Sequence, residues 1–459
     1  MSYPLPEAFL AKMQDLLGQE YLPFLQSYQA PKTQGLRVNT GKISPTDFLN
    51  LSFFSLRPVP WLPEGFYYNE ISRPGRHPYH SAGLYYIQEP SAMAAVSALD
   101  PQPGEKVLDL CAAPGGKATH IGARLLGKGV LVANEFVPGR ARILAENLER
   151  CGITNAVVLN EHPGKLEKSF PSYFDKVLVD APCSGEGMFR KEPEARAEWT
   201  GESASACAVR QLEILRSALA MLRPGGTLLY STCTFAPEEN EQVIEKVLQG
   251  YPALEVTALR DKQFFAPGRP AWGRTPHNSF LAETARLWPH LLAGEGHFIA
   301  LLQDKSAPET VPLKHFKAAA APRASTALWD DFAQASLNSF SAAGMYLQYA
   351  EHLYLAPSGL PSLDRLKVVR PGWHLGMVRK SRFEPSHALA LGLKPGQARQ
   401  SIDLSSLDPT VLKYLRGESL TLSGDKGWNV LCTDGFPLGW GKHDGQILKN
   451  HYPKGLRWL

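Results

Sequence analysis

The chain is 459 residues long, 44% hydrophobic and 20% charged, with 48 Lys and Arg against 44 Asp and Glu. That length predicts several domains, and that composition excludes a wholly disordered chain. The net charge of +4 divides unevenly: residues 310–459 balance at +7 and residues 1–309 at −3, a weak pointer to a polyanion partner for the last third.

The N-terminal stretch lacks a basic segment leading into an apolar one, so no secretory signal is expected. No apolar run approaches the ~18 residues of a membrane helix. Phe9, Met13, Leu16 and Leu17 fall at helical spacing in a helical segment predicted over 6–28. Leu36-Arg37-Val38-Asn39 reads as a strand, and the Pro-rich, aromatic stretch Pro58–Tyr79 follows. Together these make an N-terminal module, residues 1–84. From 85 to 303 short apolar runs alternate with longer helical ones. Lys106–Leu110, Gly129–Asn134, Ala156–Asn160, Lys176–Val179 and Thr227–Ser231 are predicted strands. Lys117–Leu126, Pro138–Cys151 and Ser205–Leu222 are predicted helices, the last ended by Arg223-Pro224-Gly225-Gly226. This alternation predicts an α/β core with a parallel sheet covered on both faces. His297–Gln303 is expected as its antiparallel edge. Residues 304–328, rich in Ala, Pro and Lys, are expected as a linker. Two small α+β modules, 329–385 and 386–459, follow. The six cysteines are too sparse for a disulfide scaffold and none forms Cys-x-x-Cys, so reduced thiols, a cytoplasmic location and no metal site are expected.

The strongest motif is Asp109-Leu110-Cys111-Ala112-Ala113-Pro114-Gly115-Gly116-Lys117, which ends a strand and opens a helix. Open parallel sheets bind ligands outside the carboxyl ends of their strands, and glycines there let the backbone approach closely. The motif is neither Gly-x-Gly-x-x-Gly nor a P-loop, which disfavours a dinucleotide or nucleoside triphosphate. Glu135, at the end of the next strand, suits a ribose hydroxyl pair. Two cysteines then follow strand ends, in Asp180-Ala181-Pro182-Cys183-Ser184-Gly185 and in Ser231-Thr232-Cys233-Thr234, and both open onto the cofactor edge. Two thiols opening onto one ligand edge suit covalent nucleophilic catalysis, with an acid such as Asp180 at hand. Spacing alone does not order the two thiols.

These motifs resemble the S-adenosylmethionine-dependent RNA cytosine C5 methyltransferases of the NOL1/NOP2/Sun type. The resemblance implies a Rossmann-like class I methyltransferase core in which Cys111, Ala112, Ala113, Pro114, Gly115, Gly116 and Lys117 cradle the methionine moiety. It also implies that Glu135 binds the ribose and that Arg140 and Asp180 lie around the cofactor. The chain departs from the family after the third strand, where Asn160 and Glu161 stand in place of an adenine-contacting Asp. The resemblance assigns Cys233 as the nucleophile, Cys183 as the residue that aids release, and Lys117 to a place near the reacting groups. Gly83–Met93, Arg37-Val38-Asn39 and Arg286–Phe298 extend the similarity. The tail, Gly439–Arg457, resembles the PUA-like domain of bacterial RsmF-type ribosomal RNA methyltransferases. The implied substrate is structured ribosomal RNA, chiefly of the small subunit, acted on by a monomer. For RNA contact, Phe189 with Arg190 and Lys191 is expected as a stacking and phosphate-binding loop. Lys442, Lys449, Lys454 and Arg457, interleaved with Trp440, Tyr452 and Trp458, are expected to grip the backbone.

Overall fold

The structure, a computed structural model, describes residues 4–275, 278–307 and 320–459. At its centre five strands run parallel in the order Ala156–Leu159, Val130–Asn134, Lys106–Asp109, Phe174–Asp180 and Leu222–Thr232. Successive residues such as Leu131-Val132-Ala133 and Val177-Leu178-Val179 are fully buried. Both faces of each strand therefore meet protein, which is why these segments read as unbroken apolar runs. The helices Gly116–Leu125 and Pro138–Arg150 cover one face through Ile121, Leu125, Leu144 and Leu148. Ser203–Met221 and Glu241–Gly250 cover the other through Leu215, Ala218, Val243 and Ile244.

The mixed α/β core is the one expected, with differences at both margins. His297–Asp304 does run antiparallel to Leu222–Thr232, but it is not the edge: Ala285–Leu287 and Leu254–Thr257 pair with it as well. Its residues Phe298, Ala300 and Leu302 pack into the core on one face and Ile299 into that on the other, so both layers of the sheet extend across it. At the opposite margin Val368–Arg370, expected in a separate module, adds an antiparallel strand to Ala156–Leu159.

The N-terminal helical segment is two helices, Glu7–Leu17 and Tyr21–Ser27, parted at Gly18, whose φ of +53° stops the first. Tyr85–Ile87 completes the N-terminal sheet by pairing with Gly35–Val38, so that module runs past residue 84. The predicted linker falls partly on 308–319, outside the described residues, and its end is helical: Arg323–Ser336 buries Trp329 and Phe332. Beyond lie a four-stranded sheet spanning Met345–Pro385 and a five-stranded one spanning Ser401–Asn450. The last module does not stand apart. Val411, Tyr414, Leu431 and Leu448 share a single core with Leu36, Val38, Phe48 and Tyr79 of the N-terminal module. Tyr79 also donates a 2.8 Å hydrogen bond to Asp434.

Candidate active site

The Lys106–Asp109 strand delivers the chain into the Cys111–Gly115 loop, and three elements hold that loop from outside. Ala112 N–H donates to the Asn134 carbonyl at 2.8 Å. From the Pro138–Arg150 helix, Arg140 donates to the Ala113 carbonyl at 2.9 Å and Asn147 to the Pro114 carbonyl at 2.8 Å. Gly115 has φ +116°, and a Cβ there would press on Asn147 at 3.2 Å, so both conformation and space require glycine. From the N-terminal module the buried Arg37 donates to the Gly116 carbonyl at 2.8 Å and to Thr119 Oγ1 at 2.9 Å.

Glu135 lies buried at the end of the next strand, capped by Val137 N–H at 2.8 Å and 3.5 Å from Arg140. Asp109 is fully buried, and neither carboxylate oxygen has a hydrogen-bond partner. Burial first, and the nearby Asp180 second, push its carboxyl up to about 8. An unpartnered acid under a Gly-rich loop, with a second acid one strand away, fits a ligand that carries a cationic amine and a ribose, as S-adenosylmethionine does. Asn160 spends its amide donors on the Glu135 and Phe136 carbonyls, both at 2.8 Å. The Glu161 carboxylate is taken by Lys165 at 2.6 Å and by the Lys367 N–H at 2.7 Å. These bonds brace the strand end next to Glu135 and commit Glu161 elsewhere.

The adjacent strand ends bring the thiols together. Cys183 Sγ and Cys233 Sγ are 3.3 Å apart. Lys117 Nζ donates to Asp180 Oδ2 at 2.7 Å, and Ser231 Oγ to Asp180 Oδ1 at 2.7 Å. Burial raises the Asp180 carboxyl, but Lys117 and His297 outweigh it and hold the group below its ordinary value. Lys117 is likewise driven above the usual lysine range, because Asp180 overcomes its desolvation. Cys183 is pushed well above an ordinary thiol, first by its hydrogen bond to Cys233 and then by burial. Cys183 is thus the thiol that the site holds in its protonated form. Cys111 is raised too, by burial and the surrounding carboxylates.

Several residues that fix this geometry were not predicted. Glu239 is fully buried and accepts from Ser184 N–H at 3.0 Å and Gln211 Nε2 at 2.8 Å, with a further short bond from Ser184 Oγ. Ser184 Oγ lies 2.8 Å from Thr234 Oγ1, so each residue that follows a thiol touches the other. Glu186, also fully buried, accepts from Phe235 N–H at 3.2 Å and pairs with Lys12 at 2.7 Å, which ties the N-terminal helix to both thiol loops. The available signal was the density of acids in Pro237-Glu238-Glu239-Asn240-Glu241 directly after the second cysteine motif.

The loop expected to bind RNA is internal. Phe189 is fully buried against Phe9 and Trp199. Arg190 pairs with the buried Glu295 at 2.7 Å and donates to the carbonyls of Ser27 at 2.8 Å and Gly294 at 3.0 Å. Its donors are used inside the protein, which removes Arg190 from the phosphate-binding set; Lys191 is half-buried beside it. In the tail Lys442, Lys449 and Lys454 are exposed, and Lys442 lies directly across from Lys449 on neighbouring strands. Arg457 is half-buried against Gly417, and Trp440 and Tyr452 belong to the cores of the module, not to its surface.

Residues 96–303 match the 16S rRNA methyltransferase RsmB/F family, and residues 5–90, 331–393 and 401–458 match the RsmF N-terminal, first C-terminal and PUA domains. The ribosomal RNA small subunit methyltransferase F of Erwinia tasmaniensis is 34% identical over 98% of this chain and 96% of its own. That of Escherichia coli is 35% identical with the same coverage. The chain belongs to the ribosomal RNA small subunit methyltransferase F family. A solved methyltransferase homolog protein from Pyrococcus horikoshii superposes with a TM-score of 0.58 at 32% identity, over 65% of this chain and 95% of that one. NSun6 from Pyrococcus horikoshii, solved with SFG, shares the fold at a TM-score of 0.55 and 22% identity, over 66% of this chain and 99% of that one. The family membership makes the chain an S-adenosylmethionine-dependent methyltransferase with a C-terminal PUA domain. No helix among the described residues is long and apolar enough to cross a membrane.

Proposed function

We propose that this enzyme methylates C5 of specific cytosines in small-subunit ribosomal RNA, through a transient bond between Cys233 and C6 of the base. The observation that carries the reading is the thiol pair, 3.3 Å apart beside the Lys117–Asp180 ion pair. Cys111 to Lys117 and Glu135 would hold the cofactor, with Arg140 and Asn160 bracing them, and the cofactor supplies an electrophilic methyl group. Cys233 attacks C6 while the Asp180 carboxylate, positioned by Lys117 and Ser231, accepts from the amino group beside N3 and so orients the ring. Cys183 serves the second half of the reaction. Once the Cys233 sulfur is bonded to carbon, the two effects of Cys233 that raise Cys183, its hydrogen bond and its charge, are gone. Cys183 then falls toward the ordinary thiol range, gives up its own proton to solvent, and as a thiolate takes the C5 proton, so that the C6–S bond breaks and Cys233 leaves as a thiolate.

A base in a duplex cannot reach thiols at strand ends, so the target is unpaired or flipped. The PUA domain supplies grip through Lys442, Lys449 and Lys454, and the enzyme works as a cytoplasmic monomer without a metal. Denaturing electrophoresis of enzyme incubated with small-subunit RNA and cofactor tests the thiol roles. Cys183→Ala accumulates a covalent protein–RNA band, and Cys233→Ala forms none and has no turnover. A band that requires Cys183 and survives Cys233→Ala reverses the assignment. Bisulfite sequencing of ribosomal and transfer RNA from a deletion strain identifies the substrate, and unchanged small-subunit RNA rejects it.

A further inference from the structure

His297 opens the His297–Asp304 strand and is 6% exposed. Strand register places it beside the end of the strand that leads into Cys233: Thr232 pairs with Phe298 and Ser231 with Ile299. Asp180 in turn pairs with Ser231. Side chains alternate across a sheet, so Asp180, Ser231, Ile299 and, two residues before it, His297 share one face. Gly187 packs between the carbonyls of Cys233 and Gly296, each 2.9 Å from where its Cβ would be, which closes this corner.

The tautomer of His297 follows from its neighbours. Nδ1 lies 3.3 Å from Ser91 Oγ. The Ser91 hydroxyl donates its proton to Glu89 in a short hydrogen bond, and Glu89 also accepts from the Ser91 N–H at 3.0 Å, the Ala92 N–H at 2.9 Å and the Glu295 N–H at 2.9 Å. The serine oxygen can therefore only accept from Nδ1–H. That leaves Nε2 as a bare lone pair, and Nε2 is buried without a hydrogen-bond partner. Burial, reinforced by Lys117, lowers the imidazole to about 4, so the ring is neutral at physiological pH. A buried acceptor without a donor costs roughly 1–3 kcal/mol and calls for an explanation.

We propose that His297 Nε2 is a specificity-determining contact that accepts a hydrogen bond from the 4-amino group of the target cytosine. The inference rests on the proposed cytosine chemistry. The 4-amino group is the one N–H donor that a neutral cytosine within RNA presents, and it carries two hydrogens. Asp180 and His297, both acceptors on the same face, match that pair of hydrogens. Uracil would turn a carbonyl oxygen toward two acceptors and be repelled. The nitrogen is enclosed, so its partner arrives with rearrangement of the side chains around it.

The test uses the full-length enzyme and two oligoribonucleotides, one with cytidine at the methylated position and one with its 4-deamino analogue, 2-pyrimidinone riboside. The wild type should prefer cytidine by at least about tenfold in kcat/KM. His297→Ala should lose about tenfold on cytidine and leave the analogue unchanged, so that the preference collapses. His297→Gln, which keeps an acceptor, should restore part of it. Binding of tritiated S-adenosylmethionine should be the same in all three. A preference unchanged in His297→Ala, a parallel fall on both substrates, or a loss confined to cofactor binding overturns the proposal. A wild type that methylates no cytidine in RNA instead removes the reading on which it rests.

Discussion

Asp109 carries a carboxyl whose folded-state value, about 8, lies well above its ordinary 3.8. The folded chain binds this proton more tightly than the unfolded chain. The stability contribution is therefore complete below the unfolded value and is lost as pH rises through the folded one. Denaturant melts of the cofactor-free enzyme between pH 5 and 9 should show a falling stability that flattens in Asp109→Asn; parallel slopes would mean that the acid is already ionised. Arg190 is the opposite case. It reads in the sequence as a cation on a basic loop, but it neutralises a buried carboxylate. Arg190→Ala should cost about 3–5 kcal/mol of stability, because Glu295 is left charged and unpaired. The salt dependence of RNA binding should not change. Residue type at a motif position was thus a good guide where the motif itself specifies backbone, as at Gly115. It failed where exposure decides the role, because nothing local in Phe189-Arg190-Lys191 reports which neighbours will cover it.

The parallel strands were legible because burial on both faces leaves apolar runs with no polar interruption. The margins of the sheet were not. Val368–Arg370 is a three-residue strand whose partner lies about 210 residues earlier, and no short-range pattern encodes such a pairing. The Gly116–Leu125 helix shows a related dependence. Its first turn carries the cofactor loop, yet Arg37, from another sheet, supplies the bonds to Gly116 and Thr119. Arg37→Ala should therefore lower the melting temperature by the equivalent of about 3 kcal/mol and weaken cofactor binding. Arg37→Lys should rescue little, since an ammonium cannot reproduce the planar fork. Cofactor affinity equal to that of the wild type would show that the helix start holds itself.

The uneven charge along the chain suggested a division between chemistry and grip, and the structure sharpens where the grip can lie. Lys442 and Lys449 sit side by side and exposed, whereas Arg190 is engaged within the protein and Arg457 is half-buried. Replacing both lysines by alanine should lower the slope of log K against log salt for RNA by about 1.5, with unchanged thermal stability. An unchanged slope would place the phosphates on another face. A truncation after the catalytic domain is a poor substitute for this experiment, because it also strips the Val368–Arg370 strand from the catalytic sheet.

The core shared by the two ends of the chain has a consequence for biosynthesis. Leu36, Phe48 and Tyr79 leave the ribosome long before Val411, Tyr414 and Leu448, which cover them. At about 5–20 residues per second the N-terminal module waits roughly 20–70 s with that apolar surface uncovered. During that interval the nascent chain exposes an apolar face that Val411, Tyr414 and Leu448 cover only once they are made.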